Sequence, residues 1–470
     1  MASMQDSKLD CLRDTIFATA TPPGRGAICV IRLSGEKTLE ILEQVFLPAG
    51  PLNRPESHKA CFGRIARPGS REVLDESVAV FYKAPRSYTG QDMAEISIHG
   101  SPVIEAQFSE VLARAGARPA QPGEFTFRAY LAGKMDLTQA EAVRDLIESQ
   151  TDLQARLARE QLLGGIASAL RPARQALLEL IARLEATVEF SEEGTQDGPG
   201  QPPVRLSVED IIGRLNRLKA AFHSSAVARS GATIVIAGKP NAGKSSIFNR
   251  LVGSERAIVT EEPGTTRDLI SERSAVRGLP VHLYDTAGIR PPTNSIESIG
   301  IEKCAAAMEG ADILLWVVDA SLPWDPSDWD LLEKSSGRRT VVALNKSDLP
   351  PRKQAGEIRR ILPDLPIVEV SALTGRGVEE LADAVSRILA SPEAPVNPDR
   401  IVSFRHRHES CVHAALLALE QCRAADDSSL SEEFLLYHLR QSLEQLDRIT
   451  GASTSDDLLD TIFSTFCIGK

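Results

Sequence analysis

A glycine-rich run, GKPNAGKS at residues 238–245, lies directly after the apolar run of residues 233–237. A buried strand that leads into such a loop and then into a helix is typical of a phosphate-binding loop, because the N–H groups of the loop surround phosphate oxygens. Lys244 supplies a cation for the phosphates, and the Ser245 hydroxyl is a suitable Mg²⁺ ligand. Since this pattern also occurs by chance, its weight depends on the motifs that follow it.

Two motifs further along the chain complete the chemistry around the phosphates. The GTTRD run at residues 264–268 offers the Thr266 hydroxyl as a second Mg²⁺ ligand. The DTAG run at residues 285–288 follows a strand-like run, so that Asp285 would hold the Mg²⁺ shell and the Gly288 N–H would sense the γ-phosphate. The three motifs together predict a nucleoside triphosphate site.

A fourth motif, NKSD at residues 345–348, selects the base. The Asp348 carboxylate would accept hydrogen bonds from the ring N–H and the exocyclic amine of guanine. Adenine lacks that amine, so the carboxylate would be left unpaired. SAL at residues 371–373 predicts a backbone lid over the base, and the expected nucleotide is therefore GTP with Mg²⁺. The motif residues expected to bind it are Asn241, Ala242, Gly243, Lys244, Ser245, Ser246, Gly264, Thr265, Thr266, Asp285, Thr286, Ala287, Gly288, Asn345, Lys346, Ser347, Asp348, Ser371, Ala372 and Leu373.

Length and composition bound the rest of the molecule. The 470 residues suffice for about three domains of roughly 150 residues each. With 42% hydrophobic and 25% charged residues the chain is typical of a soluble globular protein, and it has neither an apolar run of ~20 residues nor a signal-peptide core. Its seven cysteines form no C-x-x-C pair, which favours reduced thiols in the cytoplasm. A net charge of −11 excludes a generally basic surface, so any RNA contact must use a local patch.

The pattern of residues 1–135 predicts an α+β domain. Short β-like runs at 27–33, 77–82 and 94–98 alternate with turns, and a single helical stretch covers residues 103–115. Such a mixture is typical of an α+β domain.

The pattern of residues 136–228 predicts the first part of a helical domain. Thr138 and Glu141 fit a capping box, in which the threonine covers an early helix N–H and the glutamate reaches back. The glycine pair at 164–165 and the proline Pro172 predict breaks or kinks between successive helices.

Residues 229–390 alternate apolar strands with helices, which predicts a mostly parallel sheet covered on both faces, as in a Ras-like P-loop GTPase domain. A proline-rich linker opens the last segment, residues 391–470, where helical patterns return at 408–424, 431–448 and 456–466. Helices on either side of an α/β insert would each lack a partner alone. We therefore expect them to pack as one discontinuous bundle, with the GTPase domain inserted between its halves.

The sequence resembles the MnmE family, also called TrmE, of tRNA-modification GTPases over nearly its whole length. The GTPase motifs are shared with small GTPases and are moderately specific, whereas blocks near both ends of the chain are highly specific. These blocks are TPPGRGA at 21–27, IRLSG at 31–35, SYTG at 87–90, PGEFT at 122–126, GKMDLTQAEA at 133–142 and CIGK at 467–470.

This resemblance implies a tetrahydrofolate-binding N-terminal domain at 1–135, a helical domain split between 136–228 and 391–470, and a potassium-dependent GTPase domain at 229–390. The family adds a carboxymethylaminomethyl or aminomethyl group to C5 of the wobble uridine of certain tRNAs. 5,10-Methylenetetrahydrofolate would donate the one-carbon unit, with 5-formyltetrahydrofolate as a bound analogue. The resemblance also implies a cytoplasmic homodimer that binds tRNA but no membrane, and a heterotetramer with MnmG (GidA), the flavin protein that carries the FAD.

Four residues match the family's folate contacts by position. They are Arg32, Glu95, Lys134 and Lys470. Cations suit the glutamyl carboxylates of the folate, and a carboxylate suits the N–H donors of its pterin ring. Without the family blocks around them, these residues would be interpreted as ordinary surface charges.

The resemblance also fills a gap in the catalytic machinery. Ile289 stands where Ras-like enzymes carry a glutamine that orients water, and no arginine finger is evident. Glu297 aligns with the family's general base or water positioner. A K⁺ ion held by Asn241 and the loop at 260–265 would neutralise the charge that develops near the β–γ bridge when two GTPase domains meet. The implied K⁺ ligands are Asn241, Thr260, Glu262 and Thr265, and Glu261 and Pro263 complete this loop at the nucleotide.

Cys467 leaves three interpretations open. A C-a-a-X prenylation site is poorly supported, since Gly469 and Lys470 are unsuitable at the last two positions. In the family this cysteine faces the folate region, where it would have a catalytic or supporting role. The alternative is a thiol packed beside the apolar stripe of residues 458–466.

Two other groups of residues are expected to be structural. His406, His408, Cys411 and His413 have the composition of a metal site, but their spacing fits no tight zinc pattern and a solvated helix start is favoured. The three tryptophans, at 316, 324 and 329, are expected to pack in the GTPase domain rather than to stack on RNA.

A ribosome-assembly GTPase of the Era or EngA type shares the GTPase motifs and is the main alternative function. Such proteins carry a KH-like RNA domain or tandem GTPase domains, whereas this sequence has one set of GTPase motifs and no G-x-x-G loop in a KH context. A dynamin-like membrane remodeller would need an apolar insertion segment, which the sequence lacks. tRNA modification coupled to GTP hydrolysis is therefore the favoured function.

Overall fold

The structure is a computed structural model, and the chain divides in it into two compact units. One unit is formed by Met1–Arg144 with Asp447–Lys470, and the other by Asp145–Leu446. The residues that the structure describes are 13–49, 56–69, 72–190, 203–254, 271–285, 311–326, 328–329, 338–389, 405–427 and 431–470.

Strands and helices are numbered separately in chain order. The strands are β1 (Ile16–Thr19), β2 (Gly26–Ser34), β3 (Phe46–Pro48), β4 (Ala60–Ala66), β5 (Val73–Tyr82), β6 (Met93–Gly100), β7 (Arg118–Pro119), β8 (Ala232–Ala237), β9 (Ser271–Val276), β10 (Leu279–Asp285), β11 (Ile313–Asp319), β12 (Thr340–Asn345) and β13 (Ile367–Glu369). The helices are α1 (Thr38–Val45), α2 (Pro102–Arg114), α3 (Glu124–Leu131), α4 (Leu137–Glu148), α5 (Asp152–Leu162), α6 (Gly165–Phe190), α7 (Val204–Ser230), α8 (Lys244–Ser254), α9 (Ala355–Ile361), α10 (Val378–Leu389), α11 (His406–Asp427), α12 (Glu432–Thr450) and α13 (Asp456–Phe463). None of these helices, all within the described ranges, combines the length and the apolar character that crossing a bilayer requires.

The first unit is built on a seven-stranded sheet with the strand order β3-β4-β5-β6-β2-β1-β7. β2 pairs antiparallel with β6, and the register sets Ile31 opposite Ile96 and Arg32 opposite Glu95. Successive side chains of a strand point to opposite faces of the sheet. Because Ile31 and Ile96 are fully buried in the core, the Arg32–Glu95 pair lies on the other face.

Helices α1 and α2 cover the buried face of this sheet. α1 contributes Ile41 and Leu42 to the hydrophobic core, and α2 contributes Phe108 and Leu112. The sequence predicted only one helix in this domain, the one observed as α2. The prediction was wrong in that it missed α1 and α3. Both missed helices are eight residues long, about two turns, which is too short for a clear helical period.

α4 begins with a capping box, but the capping residue is Asp136 and not Thr138. The Asp136 carboxylate accepts a hydrogen bond from the Gln139 N–H at 2.8 Å, and the Gln139 side-chain oxygen accepts one from the Asp136 N–H at 2.9 Å. Thr138 is buried inside the helix. The predicted cap was wrong by two residues because D-x-x-Q and T-x-x-E overlap here and both fit the pattern.

The second unit contains the α/β domain that the sequence predicts, with a six-stranded sheet in the order β13-β12-β11-β8-β10-β9. β8 pairs in parallel with β10 and β11, and β9 is antiparallel at the edge. The carboxyl ends of parallel strands meet at one edge of a sheet, where ligands bind. The loop after β8 therefore lies on the same edge as Asp285, which ends β10, and Asn345, which ends β12.

Helical segments of the second unit lie before and after the α/β domain in sequence and pack together. Arg405, just before α11, donates to the Asp145 carboxylate of α4 at 2.5 Å, and Arg440 of α12 donates to the Glu185 carboxylate of α6 at 2.6 Å. The prediction of one discontinuous bundle with an inserted α/β domain is therefore confirmed for α11 and α12. The last predicted helix, α13, belongs instead to the first unit, where the Phe463 ring centroid lies 5.1 Å from that of Phe127 in α3. The predicted break occurs between α5 and α6, whereas Pro172 lies within α6.

The four candidate metal residues of α11 do not form a site. No group of three or more His, Cys, Asp or Glu side chains is placed to hold a metal within the described ranges. His406 is exposed, as expected for a solvated helix start, but His408 is fully buried. The His408 Nδ1 accepts a hydrogen bond from the Arg405 N–H at 3.1 Å and so caps the start of the helix. Cys411 is buried as well, so the solvated interpretation was wrong for His408 and Cys411.

Candidate functional site

The glycine-rich loop joins β8 to α8, and Lys244 is the first residue of α8. The Lys244 ammonium turns back into the loop, where it donates to the carbonyl oxygens of Gly238 at 2.8 Å and Lys239 at 2.9 Å. Burial lowers the pKa of Lys244, and the charge of Asp285 offsets part of that effect. A buried cation thus sits at the N-terminus of a helix, where the backbone itself favours anions such as phosphates.

Two positions of the loop require glycine, because other parts of the domain approach the backbone there too closely for a Cβ atom. Gly238 has a φ of +150°, and a Cβ there would collide with the Val317 carbonyl. Gly243 has a φ of +92°, and a Cβ there would collide with the Asn345 amide. Asn241, at the exposed tip of the loop, has a left-handed φ of +63°, which asparagine tolerates better than most residues.

Ser245 and Asp285 meet on the phosphate side of the loop. The Ser245 hydroxyl donates to the Asp285 carboxylate at 2.7 Å. Asp285 is buried and Ser245 is exposed, so the pair lies at the surface of the site. A hydroxyl and a carboxylate are oxygen ligands of the kind that Mg²⁺ requires, and they fit the predicted magnesium site. Thr266, the second predicted ligand, lies outside the described residues.

Asn345 connects the predicted base site to the phosphate loop. Its amide donates to the Ala242 carbonyl at 2.8 Å, and its side-chain oxygen accepts from the Ala372 N–H at 3.0 Å. The exposed Asp348 carboxylate accepts from the Ser371 hydroxyl at 2.6 Å. The structure therefore brings the predicted base motif, the predicted lid and the phosphate loop into one site.

The other predicted nucleotide residues fall into two groups. Lys346 has a φ of +65°, and its ammonium pairs with the Asp319 carboxylate at 2.6 Å. Ser246 and Leu373 are exposed, and Ser347 is half-buried. The predicted residues that lie outside the described part of the chain are Thr260, Glu261, Glu262, Pro263, Gly264, Thr265, Thr266, Thr286, Ala287, Gly288 and Glu297.

A charged network behind the phosphate loop was missed in the sequence. Lys239 pairs with Asp325 and, at 2.7 Å, with Asp328, which pairs in turn with Lys353 at 2.8 Å. The side chains of Asp328 and Lys353 are each 3% exposed, and the Lys353 ammonium lies 4.8 Å from the Trp324 ring centroid. Burial raises the pKa of Asp328, but hydrogen bonds from Lys239, Lys353 and the Asp325 N–H, with the charge of Lys353, lower it, and the net pKa lies below its ordinary value. The partners come from three separate segments, so no sequence spacing signals them.

In the first unit, Arg32 and Glu95 form the second polar site. The Arg32 guanidinium donates to one Glu95 oxygen from Nε at 3.1 Å and from Nη2 at 2.8 Å, and to the Gly469 carbonyl from Nη1 at 3.2 Å. Its Cζ lies 5.3 Å from the Tyr88 ring centroid and 5.7 Å from that of Phe125. The guanidinium is therefore held in place by a carboxylate, a carbonyl and two aromatic rings.

The C-terminal residues reach this pair. Gly469 has a φ of +93°, and a Cβ there would collide with the Thr19 carbonyl, so only glycine allows the chain end to approach β1 this closely. Burial lowers the pKa of the next residue, Lys470, and so does the charge of Arg32, whereas Glu95 raises it. Lys470 thus belongs to the same electrostatic cluster as Arg32 and Glu95.

Two further predicted residues of this region have different surroundings. Cys467 is exposed, so the packed-thiol interpretation was wrong, and its carbonyl accepts a hydrogen bond from the Gly123 N–H at 3.4 Å. The Lys134 ammonium donates to the Pro85 carbonyl at 2.9 Å, in a neighbouring loop. The structure therefore clusters three of the four predicted folate residues, and Lys134 bonds the β5–β6 loop that also carries Tyr88.

Comparison with known proteins gives matches along nearly the whole chain. The family model described as "GTP-binding protein TrmE N-terminus" matches residues 15–134, and the one described as "MnmE helical domain" matches residues 137–467. Relatives called "tRNA modification GTPase MnmE" include that of Koribacter versatilis, 43% identical over 98% of this chain and 100% of the relative, and that of Aquifex aeolicus, 40% identical over 98% and 100%. A solved structure of Aquifex aeolicus Era bound to GDP.AlF4- is 28% identical and covers 40% of this chain and 66% of that one, with a TM-score of 0.28.

The fold defines a multidomain P-loop GTPase, in which an α/β domain is inserted into a helical domain that follows an α+β N-terminal domain. Within that class, the full-length relatives and both family models are decisive. The chain belongs to the MnmE (TrmE) family, and the resemblance carried by its terminal blocks and four motifs is confirmed.

Proposed function

We propose that the protein is a GTP-hydrolysing enzyme that, with the flavin protein MnmG (GidA), adds a carboxymethylaminomethyl or aminomethyl group to C5 of the wobble uridine of certain tRNAs. The observation that supports this proposal is that one chain holds both a phosphate loop with a guanine motif and, in its first unit, a paired arginine and glutamate, Arg32 and Glu95, whose charges would suit a folate. Relatives called tRNA modification GTPases match 97% or 98% of the chain, which supports the same function.

GTP would bind with its phosphates on the loop and its base beside Asp348. The Lys244 ammonium would exchange its two carbonyl partners for phosphate oxygens. Because these oxygens carry negative charge, they offset the cost of burying the cation better than neutral carbonyl groups do. Ser245 and Thr266 would hold Mg²⁺, which neutralises phosphate charge when bound. The Asp348 carboxylate would exchange the Ser371 hydroxyl for the two N–H donors of guanine, and this exchange gives the selectivity against adenine.

Tetrahydrofolate would bind at the cluster of Arg32, Glu95 and Lys470, and as the 5,10-methylene form it supplies the one-carbon unit. The Glu95 carboxylate suits the pterin N–H donors, and the cations suit the carboxylates of the glutamyl tail, toward which Lys134 would contribute. The exposed Cys467 lies in the same chain end and is available to touch the bound ligand. The FAD would be carried by the partner protein alone.

A homodimer would form through the sheet of the first unit. Phe62 of β4 is 53% exposed and lies opposite Val78 of β5, which is 38% exposed. Val78 lies opposite Ser97 of β6, two residues from Glu95, so the apolar pair shares a face with the Arg32–Glu95 site. We place the contact between the two copies of the chain on this face, beside the proposed folate site.

Nucleoside analysis of tRNA tests the proposal. The gene is deleted, and the wobble-uridine nucleosides of bulk tRNA are measured by mass spectrometry. The expected result is loss of the C5-aminomethyl-type modification, restored by the wild-type gene but not by Lys244→Ala. An unchanged nucleoside profile would contradict the proposal and favour the ribosome-assembly GTPase.

The proposed K⁺ site predicts a salt-specific rate. GTP turnover should be at least about tenfold faster in KCl than in NaCl, because a fixed cation takes the place of an arginine finger. Asn241→Ala should erase the rate difference between KCl and NaCl. Glu297→Ala, which removes the proposed water positioner, should bind GTP but hydrolyse it poorly. Phosphate release at saturating GTP and equal ionic strength measures these rates. Equal rates for the wild-type protein in the two salts would rule out the K⁺ site.

The proposed folate site predicts a loss of affinity on removal of Arg32. Arg32→Met should weaken the binding of 5-formyltetrahydrofolate by about tenfold or more, because charge-assisted hydrogen bonds contribute ~1.5–3 kcal/mol each. Titration calorimetry measures the affinity. Arg114→Met is the matched control, since that arginine of α2 is 69% exposed and pairs with Glu110, one turn away on the same helix. If the wild-type protein gives no binding heat, or if Arg32→Met binds as tightly as wild type, the folate site is wrong.

A further inference from the structure

One side chain of α8 reaches the proposed lid over the base. Arg250 lies on the helix that begins with Lys244, and it belongs to none of the four sequence motifs. Its Nε donates to the Ala372 carbonyl at 2.9 Å, and its Nη2 donates to the Leu373 carbonyl at 2.7 Å. One guanidinium therefore holds two consecutive carbonyl groups of the lid.

The rest of the lid is anchored mainly at its beginning. The Ser371 hydroxyl bonds Asp348 at 2.6 Å, and the Ala372 N–H bonds the Asn345 side chain at 3.0 Å. At the other end the Leu373 side chain is 78% exposed, so burial does not fix the backbone there. The two bonds from Arg250 act at this less supported end.

From this geometry we propose that Arg250 is a positioning residue for the guanine base, an inference that rests on the proposed GTP site. A planar trans peptide points its C=O and its N–H in opposite directions. Because the Ala372 carbonyl faces Arg250, the Leu373 N–H points away from α8 and is available to the base. The same rigid helix carries Lys244 at its start, so α8 fixes the phosphate loop and the base lid relative to each other.

Nucleotide dissociation tests this role. With Arg250→Met, a fluorescent GDP analogue displaced by excess GDP should dissociate about fivefold to tenfold faster, the factor expected for the loss of two partly exposed hydrogen bonds. The KM for GTP should rise by a similar factor while kcat stays unchanged, because Arg250 acts on the base side and not on the reacting phosphate. Arg250→Lys should give an intermediate dissociation rate, since an ammonium cannot reproduce the planar fork.

Arg277→Met is the matched control. This arginine lies in the turn between β9 and β10 of the same domain and bonds the Asp383 carboxylate of α10 at 2.6 Å. It should leave dissociation and KM as in the wild type. A dissociation rate for Arg250→Met within about twofold of the wild type, or a fall in kcat at constant KM, would overturn the inference. If Arg250→Met fails to fold, Arg250→Lys decides, and wild-type behaviour of that variant contradicts the role. Failure of the wild-type protein to bind the GDP analogue would instead contradict the GTP site itself.

Discussion

Lys244→Ala should lower the rate of GTP hydrolysis by about a hundredfold or more, the loss expected when a preorganised charge is removed from a phosphoryl-transfer site. The ammonium of Lys244 is held inside the loop by the carbonyl groups of Gly238 and Lys239. Lys244 is buried, and burial lowers its pKa, so that water screens its attraction for phosphate less than at an exposed lysine. Alanine would leave those two carbonyl oxygens facing the phosphates without a cation between them.

Phosphate release under saturating GTP measures this effect, and two variants make it specific. Lys244→Arg should also be slow, because a planar guanidinium is too long to replace a compact ammonium inside the loop. Lys219→Ala, at an exposed lysine of α7, should hydrolyse GTP as the wild type does. A Lys244→Ala protein that retains more than about a tenth of the wild-type rate would show that the loop does not act on the reacting phosphate.

The nucleotide site could be predicted from sequence because its signals are local. Each motif directly follows an apolar run that forms a buried strand, and parallel strands bring their carboxyl ends to one edge by topology alone. β8 leads into the loop with Lys244, and β12 ends at Asn345, as those runs indicate. The fold class followed from the same alternation of strands and helices.

The second polar site could not be derived in this way. Arg32 and Glu95 meet because the register of β2 and β6 sets them opposite each other, and no spacing in the chain encodes that register. The family blocks alone singled them out. Arg250 and Asp328 were missed for the same reason, since each acts on partners that only the folded chain brings near. The cap at Asp136 was missed for a different reason, because the capping patterns D-x-x-Q and T-x-x-E overlap in residues 136–141 and both fit.

Asp328→Asn should destabilise the α/β domain by about 3–5 kcal/mol, the cost of breaking a buried ion pair by removing one partner. Asp328 lies between Lys239 and Lys353, and the side chains of Asp328 and Lys353 are each 3% exposed. The asparagine would leave the buried Lys353 ammonium facing a neutral amide, and desolvation of that cation is no longer offset by an opposite charge. The ring of Trp324 over Lys353 compensates only part of the loss.

Asp325→Asn is the matched control for this variant. Asp325 also pairs with Lys239, but its side chain is 55% exposed, and exposed pairs contribute up to about 1 kcal/mol. Urea unfolding followed by tryptophan fluorescence measures both variants within one domain, because all three tryptophans, at 316, 324 and 329, lie in the α/β part of the chain. Equal destabilisation by the two substitutions would show that the network is a surface feature and not a buried support of the phosphate loop.

Acidification gives an independent check on the same carboxylate. The pKa of Asp328 is lower in the folded protein than its ordinary value of 3.8, because the effect of burial is outweighed by hydrogen bonds from Lys239, Lys353 and the Asp325 N–H together with the charge of Lys353. A carboxylate with a depressed pKa contributes stability that is fully present above its unfolded pKa and is lost as the pH falls through its folded pKa. The difference in unfolding free energy between wild type and Asp328→Asn should therefore stay constant near neutral pH and shrink below pH 3.8. A difference that persists undiminished in acid would mean that the asparagine acts through altered packing rather than through the lost charge.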